Sequence, residues 1–225
     1  MFIYVIFIGI TIASWLVQRS LTNKFNKYSR VPLDVNMSGA QVAQLMLQQN
    51  GIHNVSVQSV GGQLTDHYNP ANGTVNLSQP VYGACSVAAA AVAAHECGHV
   101  LQHARGYAML NLRTRLVPAV SFASKWLTWV LLGGILLLQV FPYLFYAGVA
   151  LFALTTLFSL VTLPVEIDAS RRAIAWLDTA GITHGENTVM ARDALKAAAY
   201  TYVVGALGSL ATLMYYILIA IGRRD

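Results

Sequence analysis

Residues 126–165 read WLTWVLLGGILLLQVFPYLFYAGVALFALTTLFSLVTLPV, forty residues without one Asp, Glu, Lys or Arg. A helix needs roughly 20 mainly apolar residues to cross the hydrocarbon core of a bilayer, so this run is long enough for two crossings. Pro142 marks a tight turn between them, and Pro164 reads as the end of the second. Two further stretches are equally free of charge, residues 1–18 and 197–222. Each is sufficient for one crossing. The expectation is four transmembrane helices, the second and third forming a hairpin with almost no loop.

The rest of the composition agrees. Of 225 residues, 56% are hydrophobic and only 10% charged, and the mean hydropathy is +0.54. A soluble domain carries about 25% charged residues, so soluble, disordered and fibrous classes are excluded. All 14 Lys and Arg and all 9 Asp and Glu fall outside the three charge-free stretches, leaving room for one small water-facing domain. The net charge of +5 comes from basic residues that flank spans. Such residues serve as orientation signals and contacts to anionic lipid, so the charge implies membrane lipid and no nucleic acid as a partner. With only Cys85 and Cys97 available, a disulfide framework is not expected.

The first span has no basic segment before it and no small-x-small site after it, so it reads as a retained anchor and not a cleaved signal. Arg19, Lys24, Lys27 and Arg30 follow it. By the positive-inside rule the N-terminus lies outside and the polar domain in the cytoplasm. Four spans then leave 12 of the 14 Lys and Arg on the cytoplasmic side, with Arg223 and Arg224 opposite.

Within the polar part, residues 38–51 read as a short helix, with Ser38 as N-cap and Gly51 just past its end. Residues 54–60 alternate as a half-buried strand. Residues 66–70, DHYNP, read as a turn-forming cluster, and residues 74–78 as a second strand after an Asn72-Gly73 turn. A long helix is expected from about Ser86 to Ala104, ended near Gly106.

That helix carries His95-Glu96-Cys97-Gly98-His99. Histidines at i and i+4 stand one turn apart on one face, about 6 Å along the axis, a spacing that lets both bind one tetrahedral Zn²⁺. Glu96 is rotated by about 100°, beside the metal but not on it, where it can accept a proton from the attacking water. The competing reading is a histidine pair satisfied at a helix–helix contact. The apolar run of residues 88–94, which puts the motif on a helix, favours metal. Cys97 lies on the side away from the histidines and reads as a small packing residue. Gly98 leaves room for another helix or a substrate to approach.

A catalytic zinc needs a third protein ligand and an open fourth position. The metzincin pattern fails, because Gln102 and Arg105 stand where a glycine and a histidine are required. His103 is another turn along the helix, too far to close a tetrahedron, and suits a polar role at the helix end. The downstream carboxylates are Glu166, Asp168, Asp178, Glu186, Asp193 and Asp225. Glu166 is the strongest of them. It follows the third span at the start of a helix, where the hairpin of spans two and three would return it to His95 and His99. Its competing role is a first-turn carboxylate favoured by the helix dipole.

Together these segments resemble the YugP-type bacterial membrane zinc metallopeptidases, the neutral zinc metallopeptidase group. The likeness covers most of the chain: residues 66–70, 75–78 with Val81-Tyr82, 89–99, His103, 112–118 (LRTRLVP) and 163–173 (LPVEIDASRRA). More distantly, the chain is similar to the HtpX and CAAX-prenyl-protease metallopeptidases. These also place a two-helix membrane hairpin between HExxH and a Glu followed three residues later by Ala, as Glu166 and Ala169 are here. The resemblance implies Glu166 as zinc ligand. Where those relatives have an Asp after the Ala, this chain has Ser170, with an acid at Asp168. Either of the two is then the partner that orients a ligating histidine.

The reading is a mainly α membrane protein, with four transmembrane helices and a small α+β zincin-like domain at the membrane surface. Residues 1–18 form the first span and 19–115 the domain bearing the motif. Residues 116–163 form the hairpin, 164–196 the segment supplying the third ligand, and 197–222 the last span. The expected activity is endopeptidase cleavage of membrane or membrane-associated proteins by a zinc-activated water with Glu96 as general base. The expected site is the bacterial plasma membrane, facing the cytoplasm. His67, Tyr68, Arg171 and Arg172 are candidates to stabilise the oxyanion, though both arginines also suit membrane-flanking positions. Residues 74–78, including Asn76, would pair with an extended substrate if they formed an edge strand. The competing functions are an intramembrane-cleaving metalloprotease and a non-catalytic zinc-binding scaffold. Against the first, residues 86–94 are too few and too weakly apolar for a span. Against the second, a purely structural site has no need of Glu96.

Overall fold

The computed structural model describes residues 2–222, with side chains from residue 5. Arg223, Arg224 and Asp225, which entered the topology and ligand arguments, lie outside the described residues. The elements run α1 (Phe2–Tyr28), α2 (Gly39–Gln49), β1 (Ser56–Val60), β2 (His67–Asn69), β3 (Thr74–Ser78), α3 (Gln79–Tyr82), α4 (Val87–Ala104), α5 (Ala108–Leu136), α6 (Pro142–Thr179) and α7 (Glu186–Ile221). Four of these helices, α1, α5, α6 and α7, are long and apolar enough to cross a membrane.

The chain divides into two compact units. One contains α1 as far as Leu16, α5, α6 as far as Pro164, and α7 from Thr201. Its surface is apolar, with Trp129, Leu136, Val140 and Leu218 among its exposed side chains. Inside it, α5 and α6 meet at Gly134, where an added Cβ would come within 2.6 Å of the Phe145 Cα. Phe145 is fully buried and packs edge-on against Tyr216 of α7.

The other unit, Val17–Tyr107 with Val165–Tyr200, holds the polar chemistry. At its centre is α4, whose alanines at 88–91, 93 and 94 are all buried. Their small side chains let neighbours close in from several directions, and Val42, Met46, Leu77, Leu177 and Leu195 complete one continuous apolar core around the helix. Ser86 caps its start, its hydroxyl accepting from the Ala89 amide. At α2 the cap is reciprocal: Ser38 accepts from Gln41 N and Gln41 Oε1 accepts from Ser38 N, which satisfies two otherwise orphaned amides. Asp193 ties α7 to α1 by accepting from Lys24 Nζ at 2.7 Å and from the Tyr28 hydroxyl at 2.7 Å.

Three features depart from expectation. Residues 67–69 form a strand, β2, inside the segment read as a turn. Antiparallel pairing with β3 (His67 with Asn76, Tyr68 with Val75) overrides the turn preference of Asn and Pro, and the turn itself is confined to residues 70–73. Consequently β3 is the central strand, not an edge. The order is β1-β3-β2, with β1 parallel to β3, and all five β3 residues are buried. Finally, Pro164 does not end its helix. It sits inside α6, so Glu166 lies in mid-helix rather than in a first turn, and the helix-dipole role does not arise. At about 1.5 Å per residue, the 38 residues of α6 span about 57 Å. That is more than the roughly 30 Å hydrocarbon core requires.

Candidate metal centre

On α4, His95 and His99 stand one turn apart with ring centroids 4.8 Å from each other and planes at 82°. From α6, Glu166 presents Oε2 to both, 3.3 Å from His95 Nε2 and 3.7 Å from His99 Nε2. Ligand tips on a tetrahedron with bonds of about 2.0–2.1 Å are roughly 3.3 Å apart; the two distances to Glu166 are close to that, and all three ligand atoms lie within 4.8 Å of one another. Among the described residues this is the one group of His, Cys, Asp and Glu that could hold a metal ion. The side chains are 14% (His95), 11% (His99) and 4% (Glu166) exposed. The carboxylate is sealed in while the imidazoles keep an opening, as a site with a vacant fourth position needs.

The approach of α6 to α4 depends on Gly98. A Cβ there would lie 2.6 Å from the carbonyl oxygen of Ala169. The space left by the missing side chain is thus occupied by the α6 backbone, three residues past Glu166.

Both imidazoles are held from behind through Nδ1. Ser170 Oγ lies 3.1 Å from His95 Nδ1, and Gln102 Oε1 lies 3.0 Å from His99 Nδ1. Each ring therefore turns its Nε2 toward Glu166, which puts that nitrogen in position to ligate a metal. Asp168 accepts from Gln102 Nε2 at 2.8 Å and from Arg172 Nε at 2.6 Å. The choice between Asp168 and Ser170 thus has a double answer: Ser170 meets His95 directly, and Asp168 reaches His99 through Gln102. Gln102 was missed as a site residue. Its side chain is fully buried, and its only sequence signal is a polar residue three positions after a histidine on the same helix. Burial pulls the His99 imidazole down, but the carboxylates of Glu166 and Glu96 beside it outweigh that and raise it.

Glu96 is buried beside the histidines, and its Oε2 accepts from the Tyr68 backbone amide at 3.0 Å. Tyr68 pairs with Val75 across the sheet, so the edge strand β2 steadies the carboxylate. The Tyr68 hydroxyl is 3.1 Å from His103 Nδ1, which gives His103 a partner at the helix end and no place among the candidate ligands. His67 Nδ1 bonds the Thr65 carbonyl at 2.8 Å and its Nε2 lies 3.2 Å from Asn76 Nδ2. Both residues thus serve the β2–β3 pairing and stand outside the ligand group. Arg172 lies over the Tyr107 ring, 5.9 Å from its centroid, while Arg171 is exposed. Cys97 is fully buried, its thiol 3.6 Å from the Ala43 carbonyl and pushed well up by that burial.

The profile of a family described as "putative neutral zinc metallopeptidase" matches residues 3–221. The chain belongs to this family. It is also similar to a Bacillus subtilis (strain 168) protein named "putative membrane protease YugP", with 40% identity over 224 residues, 98% of this chain and 99% of the relative. No solved structure matches. Three-ligand catalytic zinc sites are built from imidazole nitrogen and carboxylate oxygen, and His95, His99 and Glu166 converge as such a set. The residues present fit zinc.

Proposed function

We propose that the chain is a membrane-bound, zinc-dependent endopeptidase with a zincin-like centre. The observation that carries this reading is the convergence of His95, His99 and Glu166 with a fourth residue, Glu96. Glu96 is buried beside the ligand atoms yet outside their set, and a backbone amide holds it. A structural zinc site has no use for such a carboxylate.

His95 Nε2, His99 Nε2 and Glu166 Oε2 would hold the ion. Zinc bound there supplies Lewis-acid polarisation of the scissile carbonyl and makes water a nucleophile near neutral pH. Glu96 takes the proton of the attacking water and returns it to the leaving amine. The Tyr68 amide keeps Glu96 aimed while that proton moves. With β3 central, an extended substrate peptide adds instead at the outer edge of β2. The Tyr68 amide donates to Glu96 rather than to its β3 neighbour Val75, so the outward side of β2 already faces the general base.

Membrane or membrane-associated proteins are the substrates this reading favours, since four helices suit a bilayer and the relative is named a membrane protease. Residues 19–115 and 164–196 form the catalytic part, and residues 1–18, 116–163 and 197–222 the membrane part. The positive-inside pattern puts the centre on the cytoplasmic face of a bacterial plasma membrane.

The test is proteolysis by the purified, lipid-reconstituted full chain and its Glu96→Gln variant on an unfolded reporter protein. The wild type should cleave, and the variant should lose at least about 10²-fold in rate while keeping its zinc. Equal rates would overturn the mechanism.

A further inference from the structure

We propose that Gln102 is a positioning residue that clamps the two halves of the ligand set together. Its amide leaves Nε2 as the nitrogen with which His99 ligates and at the same time holds α6 where Glu166 reaches that nitrogen. The inference rests on the metal-centre reading above.

A primary amide offers one acceptor oxygen and two N–H donors, and each finds a partner here. Nε2 donates to the Val165 carbonyl at 2.8 Å and to Asp168 Oδ2 at 2.8 Å. A carbonyl and a carboxylate can only accept, so the NH₂ end must face α6 and Oε1 must face His99. Oε1 in turn can only accept, so the atom 3.0 Å away, His99 Nδ1, must carry the ring proton. In the neutral ring the tautomer follows from the partners: Nδ1 keeps the proton, and Nε2, on the side of Glu166, is the nitrogen left to ligate. Ser170 imposes no such choice on His95, because a hydroxyl can either donate or accept.

The same amide reads the position of α6. Val165 and Asp168 bracket Glu166 in sequence, so a shift of α6 that moved the ligand carboxylate would break one or both bonds. Arg172 Nε, 2.6 Å from Asp168 Oδ2, fixes that carboxylate from the far side. Polarised by Asp168, the amide oxygen is also a stronger acceptor and makes His99 a more basic ligand. All this occurs on a side chain with no exposed surface, where an unmatched partner cannot be rescued by solvent.

The alternative is that Gln102 merely fills space. Three forms of the full chain in detergent separate the two: Gln102→Met, Gln102→Glu, and Gln102→Glu combined with Asp168→Asn. The readouts are zinc affinity by chelator competition and the visible absorption spectrum after Co²⁺ loading, with thermal melting as the check on folding. Losing a partner that orients a ligand costs roughly 10- to 100-fold in metal affinity. Both single variants should show that loss and an altered Co²⁺ spectrum. The double variant should bind zinc more tightly than Gln102→Glu alone. Its amide at position 168 can donate to the carboxylate at position 102, which still accepts from His99. Wild-type affinity and spectrum in a folded Gln102→Met would overturn the clamp. So would a double variant no better than Gln102→Glu, a comparison that stands even if Gln102→Met does not fold. A wild type that binds no zinc would instead sink the metal centre itself, a result distinct from either.

Discussion

Gly98 on α4 faces Ala169 on α6 across a gap that admits no side chain: a Cβ at position 98 would stand 2.6 Å from the Ala169 carbonyl oxygen. The obstacle is helix backbone, which cannot rotate away as a side-chain tip could. The distance from His95 and His99 to Glu166 is therefore set by the absence of a methyl group one residue before His99.

Replacing Gly98 by Ala should force α6 outward. Overpacking of this kind costs about 1–3 kcal/mol, so the melting temperature should fall. Zinc affinity should fall with it, because Glu166 moves with Ala169. A Gly98→Ala protein with unchanged melting and unchanged zinc affinity would show that the close approach does not govern the site.

Ser170 holds His95 by a single contact of 3.1 Å to Nδ1. Ser170→Ala should therefore weaken zinc binding by roughly tenfold, the lower end of the range for such partners, with little change in melting. Chelator competition measures the first and a thermal scan the second.

Asp66 offers a test of the sheet that supports Glu96. Its carboxylate accepts from Ser78 N at 2.7 Å and from Ser78 Oγ at 3.1 Å, tying the start of β2 to the end of β3. Burial pushes the Asp66 carboxyl above the usual carboxylate range, and the Ser78 hydrogen bonds offset only part of that. A raised folded value means that the charged form is disfavoured on folding. The corresponding stabilisation is fully present below the unfolded carboxylate value and is lost as pH rises through the raised folded value. The melting difference between wild type and Asp66→Asn should therefore shrink from acidic to neutral pH, which differential scanning at a series of pH values would show. A difference that grew with pH would contradict the assignment.

Much of this arrangement is legible in the sequence. The charge-free runs announce the long apolar helices because a bilayer excludes charge over a fixed thickness. The His95–His99 spacing announces a shared face because helix geometry is rigid. What escaped depends on partners distant in sequence. Residues 67–69 become a strand only because β3 lies alongside. Residues 74–78 read as a strand that could stand at an edge, yet β2 takes the edge, and Asp66 and His67 bond the Ser78 and Asn76 side chains. Pro164 reads as a terminator, but the loss of one amide from a long helix leaves the bonds on either side intact. Gln102 carries only the faint signal of its spacing from His99, since a lone polar residue on a helix is ordinarily solvated. Its meaning comes from Val165 and Asp168, 63 and 66 residues away in the chain.

The central claim is that one zinc ion is held jointly by α4 and α6, through His95, His99 and Glu166. Elemental analysis of the purified full chain and of Glu166→Ala, both dialysed against the same weak chelator, tests it most directly. The account requires about one zinc per wild-type chain and a near-complete loss in the variant, with the fold retained by circular dichroism. A wild type without zinc, or a Glu166→Ala protein that keeps its full complement, would contradict it.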